Sequence, residues 1–274
     1  FSWFAFSYHL KEDFATALTF ASLFFIIFYT TFLAYKLLRK EAFEILDIIL
    51  LLMNSFVFYG FGYAILDEHE TGSQLLGFFT LCNAILHFIV SVIIYRLKLA
   101  DKNLFYLVAG LVLVFITIAI PVQLDGNWVT LLWVGEAVLL FWIGRTKNIS
   151  VYEYLSYPLM ALSTFSLYQD WTNVYVAFNQ FDGFKTFTPV INIHFLSTVL
   201  FIAGFGFIYY LYNNKLYEAA MQSKKELSNL VSIIIPAIII STVYFGFYFE
   251  IAHYFQTLFQ ESEVSLSKSN LTKR

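Results

Sequence analysis

The 274-residue chain is 59% apolar, 21% aromatic and only 13% charged, about half the charged share of a soluble domain. A water-solvated surface cannot be built from that composition. A net charge of −3 with no sustained basic block excludes nucleic-acid binding. The single Cys82 rules out a disulfide framework and a CxxC metal site.

Eight stretches are long and apolar enough to cross a hydrocarbon core about 30 Å thick. In chain order they are 14–37, 43–66, 72–95, 104–121, 128–145, 151–170, 191–212 and 229–254. Backbone amides in lipid must be satisfied within their own segment, and the alternation of barrel strands is absent. The expected fold is therefore all-α, a polytopic transmembrane bundle of about eight spans joined as up-down hairpins, read as one domain over 1–274.

Most of the 16 Lys and Arg residues fall in alternate turns: Lys36, Arg39 and Lys40, then Arg96, Lys98 and Lys102, then Arg145 and Lys147, then Lys215, Lys224 and Lys225. Positive charge is retained on the cytoplasmic side, so both ends are expected outside. The chain opens on FSWFAFSYHL with no Met and reads as a fragment, with the missing parts of the same chain as possible partners beside membrane lipids. The polar 261–274 tail then reads as an extracytoplasmic loop. The 171–190 connection carries Trp171, Tyr175, Phe178, Phe181, Phe184 and Phe187, a spacing expected to lie ordered against the outer face.

Charged and amide side chains inside the membrane need partners or a job. Glu136 sits near the middle of its span, Asn54 and Asn83 at matching depth in theirs. Asn83 belongs to a stripe, Thr80, Asn83, His87 and Ser91, whose spacing puts all four on one helical face. Asp47 shares a face with Asn54. The expectation is a midplane seam of Glu136, Asn54, Asn83 and His87, with Glu136 facing inward. Three uses stay open: interhelical glue, a proton or ion relay, or a polar substrate site.

A second set lies toward the outer ends: Asp67, Glu68, His69 and Glu70, then Asp125, His194, Glu250 and His253. These types suit a divalent metal, but their spacing specifies none, so no metal or cofactor is expected. Gly60-x-Gly62 and Gly204-x-Gly206 are too close for GxxxG packing, leaving local bending or small-residue contacts. Pro158 and Pro236 are expected to kink their spans. The GxxxxGK[ST], HExxH and GxSxG patterns are absent, which removes those three chemistries.

The run PVQLDGNWVTLLWVGEAVLLFWIGR at 121–145, followed by FTPVINIHFLS at 187–197, resembles a large bacterial family of multi-pass "predicted membrane proteins", domain of unknown function 2339. The shared features are L-x-G-x-W-x-x-L-x-W-x-x-E-A, here Leu124 to Ala137, and P-x-x-N-x-x-F-L, here Pro189 to Leu196. The resemblance covers about 104–212 and implies a bacterial cytoplasmic membrane and a longer parent chain. It assigns no catalytic residues. Function is thus expected to be transporter-like or a scaffold of envelope assembly; the alternative is a membrane transferase acting on a lipid-linked substrate at the outer face, with Asp67, Glu68 or Asp125 as base or ligand.

Overall fold

The computed structural model describes residues 13–39, 44–69, 71–97, 102–176, 187–214, 216–217 and 225–272. Among them every regular element is helical. Eight α-helices follow one another: α1 Phe14–Arg39, α2 Ile45–Asp67, α3 Leu76–Leu97, α4 Lys102–Gln123, α5 Asn127–Lys147, α6 Ser150–Trp171, α7 Ile193–Asn213 and α8 Lys225–Thr272. Six of the described helical stretches are long and apolar enough to cross a membrane. In α4 the apolar stretch Val108–Gln123 is continued toward the helix start by the Leu-Phe-Tyr-Leu run at 104–107. The turn-by-turn run of Glu153, Ser156, Ser163, Ser166 and Asp170 dilutes α6.

The sequence reads as one transmembrane domain, and its helices cluster in two compact units, 1–124 and 125–274. In the first, α1 packs on α2, and α3 on both α2 and α4. Its core is Phe25 and Tyr29 of α1, Leu51 of α2, Ala84 and Ile94 of α3, and Val108, Leu111 and Phe115 of α4. The other face of α1 presents Phe20, Phe24 and Phe28 outward, as a lipid-facing helix must.

In the second unit α5 is central, packing on α6 and on α7, while α8 packs on α7. Ala137 and Phe141 of α5 are buried together with Phe201, Phe205 and Ile208 of α7. Trp128 and Trp142 near the two ends of α5 are exposed, the placement that suits the two interfaces of a bilayer. The α5–α6 turn is tight because Asn148 takes a left-handed conformation that ends α5, one of the few side chains that tolerate it.

Small residues let neighbours approach. A Cβ on Gly144 would stand 2.7 Å from the Glu153 backbone nitrogen, and one on Gly62 or Gly204 would run into Phe79 or Val134. One glycine of each Gly-x-Gly pair is therefore a packing site, while Gly60 and Gly206 meet nothing. Pro158 and Pro236 both lie inside continuous helices.

One expectation about the connections changes. The 261–274 tail is not a loop as far as it is described: α8 continues to Thr272, 48 residues in all, because Glu, Ser, Lys and Leu carry no helix breaker to stop it. Of the 171–190 connection, Thr172–Val176 extends α6 as a π-helical turn, and Tyr175 on it stacks on Phe249 of α8. Phe178, Phe181 and Phe184 lie outside the described residues.

Candidate functional site

In the first unit, the stripe Thr80, Asn83, His87 and Ser91 is buried along its whole length, as the one-face spacing requires. Two of its members, His87 and Thr80, hydrogen-bond across helices. Tyr29 OH pairs with His87 Nδ1 at 2.9 Å, joining α1 to α3, and Tyr59 OH pairs with Thr80 Oγ1 at 3.1 Å, joining α2 to α3. Asn54 Nδ2 donates to the Phe25 carbonyl at 3.3 Å. Asn83 instead satisfies itself on the Phe79 carbonyl of its own helix. The His87 ring lies nearly parallel to Phe115, with centroids 5.3 Å apart. Its Nε2 has no hydrogen-bond partner among the described residues. Asp47 serves the start of α2, accepting the Glu44 backbone N–H.

Glu136, the fourth member expected in that seam, belongs to the second unit and is half-buried on α5. Asp67 and Glu68 are exposed at the end of α2 in the first unit, and Glu70 lies outside the described residues. Asp125 is exposed just ahead of α5.

The remaining outer residues do come together. Four elements of the second unit converge where α5 and α7 begin, α6 ends and α8 passes. Glu250 on α8 is 2% exposed. Its Oε1 accepts Tyr175 OH at 2.6 Å and Asn192 Nδ2 at 2.9 Å, and its Oε2 accepts the Val190 backbone N–H at 2.7 Å. A buried carboxylate is costly without such donors, and three bonds to a charged acceptor outweigh much of that cost. Burial, with Glu250 beside it, pushes the Tyr175 hydroxyl well above its usual range, so it remains a donor.

Asn192 works twice, because its Oδ1 also accepts Phe195 N–H and caps α7. Phe187 stacks on the His253 ring at 3.9 Å, and His194 Nδ1 accepts Asn127 Nδ2 at 2.9 Å. Val190 has φ +67°, a left-handed conformation that a β-branched residue adopts only under constraint.

One turn deeper the same end stays polar. Thr130 Oγ1 donates to Asp170 Oδ2 at 2.7 Å and lies 2.7 Å from Ser166 Oγ, and Trp171 Nε1 donates to Thr198 Oγ1 at 3.1 Å. The opposite end of the unit holds a buried ion pair, Arg145 with Glu153.

Glu250, His253 and His194 were legible as candidates from residue type. Tyr175 stood out only as one of the six aromatic residues of the 171–190 connection, and Asn127, Asn192, Thr130, Asp170 and Glu153 were not singled out. Asn192 lay in plain view within the P-x-x-N-x-x-F-L run, where an Asn ahead of an apolar run signals a cap.

Among the described residues no three His, Cys, Asp or Glu side chains are grouped to hold a metal ion. No known protein family, curated protein or solved structure matches the chain.

Proposed function

We propose that this chain is a non-enzymatic component of a bacterial cytoplasmic membrane, transporter-like or a scaffold of envelope assembly, whose working end is the polar end of α5 to α8 around Glu250. The observation that carries the reading is the state of Glu250. Its carboxylate is buried and engaged by three donors from the end of α6 and the α6–α7 connection, so it fastens parts of the chain together and offers no vacant base to a substrate. A transferase would need convergent, approachable acids.

The likeness of 124–137 and 189–196 to the multi-pass bacterial family supports the envelope as location. Both runs border this end. The alternation of basic turns supports an orientation that puts the Glu250 end outside and Arg145 inside.

The test is an untargeted comparison of envelope lipids, glycans and small metabolites in cells with and without the full-length protein, complemented by wild type or Glu250→Gln. A changed profile restored only by wild type is expected. Accumulation of one unmodified lipid-linked precursor would favour the transferase instead, and an unchanged profile would remove the proposal.

A further inference from the structure

Val190 combines two features that do not belong together without a cause. It is a β-branched residue at φ +67°, and it is half exposed, at 50%, so packing does not force the conformation. What holds it is the 2.7 Å bond from its N–H to Glu250 Oε2. The same carboxylate holds Asn192 two residues later, and Asn192 caps α7. Phe187, three residues earlier, lies flat on His253 one turn after Glu250. Residues 187–192 are therefore fastened to α8 through Glu250 and His253, with both polar contacts made to Glu250.

We infer that the Glu250 side chain is a latch for the 187–192 segment, its two acceptor oxygens holding a strained turn closed against α8 beside His194 and His253. A carboxylate only accepts, and this one accepts from three donors at once. Replacement by an amide turns one acceptor position into a donor. The oxygen with two donors keeps the acceptor role more easily, so the position facing Val190 N–H carries the conflict. Backbone strain at Val190 then favours opening. Tyr175, Asn192, His194 and His253 are the polar groups of the α6 end, the connection, α7 and α8 that face this point.

The latch goes beyond the functional proposal and does not depend on what the protein moves or assembles. Its test reads backbone protection, not envelope chemistry, so each can fail alone. Amide hydrogen exchange is measured in lipid nanodiscs on wild type, Tyr175→Phe, Glu250→Gln and Glu250→Gln/Val190→Gly. Wild-type Val190 is expected to be protected although it lies outside any helix. Glu250→Gln should speed its exchange by about tenfold to a hundredfold, the loss of a hydrogen bond to a charged acceptor, and should also loosen the capped Phe195 amide. Tyr175→Phe, which spares Oε2, should leave Val190 protected. In the double variant glycine adopts the positive φ at no steric cost, so Phe195 should recover while residue 190 stays fast. A folded Glu250→Gln protein with unchanged Val190 exchange overturns the latch. Should that variant fail to fold, wild-type Val190 exchanging at the rate of free coil overturns it equally.

Discussion

Arg145 Nη2 and Glu153 Oε1 lie 3.1 Å apart across the α5–α6 turn, with the two side chains 3% and 1% exposed. The guanidinium carbon also sits 5.1 Å from the centre of the Phe141 ring and 5.0 Å from that of Tyr212, and Tyr157 OH donates to the same Glu153 oxygen. One cation thus joins α5, α6 and α7. Nη2 is not aligned as a hydrogen-bond donor, so the contact is chiefly one of charge.

Removing one partner strands the other in a dry environment. Arg145→Ala or Glu153→Ala is expected to cost roughly 3 to 5 kcal/mol of stability, and Arg145→Met with Glu153→Leu much less, since a buried pair replaced by apolar groups is often neutral. Thermal unfolding in nanodiscs checks this. A double variant as unstable as the worse single one would refute it.

Glycine position decides the outcome of an otherwise identical change. Gly144→Ala drives a methyl into the Glu153 backbone, whereas Gly135→Ala on the same helix meets nothing within 4 Å. The first should destabilise by about 1 to 3 kcal/mol, and the second should be neutral or stabilise by up to about 1 kcal/mol. Equal melting temperatures for the two variants would contradict the α5–α6 approach.

Glu136 discriminates glue from relay. If it joins helices as a neutral, protonated carboxyl, Glu136→Gln should preserve both stability and function, because Gln keeps a donor and an acceptor, while Glu136→Leu should destabilise. A relay instead predicts that Gln abolishes activity at unchanged stability. Complementation of the deletion phenotype, read beside melting temperature, separates them.

Topology is open to a direct measurement. In a background with Cys82, which is exposed, changed to Ser, single cysteines at Lys40, Ala100, Lys147 and Ala220 should resist an impermeant thiol reagent in intact cells. Labelling at two or more of them would reverse or dismantle the orientation derived from the basic turns.

What the sequence determined by itself was whatever depends on neighbours along the chain. Unbroken apolar runs identify helices because lipid leaves the backbone no other solution, and the three- and four-residue spacing of Thr80, Asn83, His87 and Ser91 identifies a buried face because a helix fixes the angle between them. Which side chains meet across helices was decided only by the tertiary structure. Glu153 drew no notice as one acid in a mixed helix, yet the rotation and register of α6 on α5 set it against Arg145. Glu250 was visible as an acid near a helix end, but its donors come from a π-helical turn and from a strained turn far along the chain, and spacing carries no record of either. Glu136 and the Asn54, Asn83 and His87 group share an expected depth, and the fold assigns them to separate compact units. Depth follows from counting residues at a fixed rise per residue, whereas partnership requires knowing which faces turn toward each other.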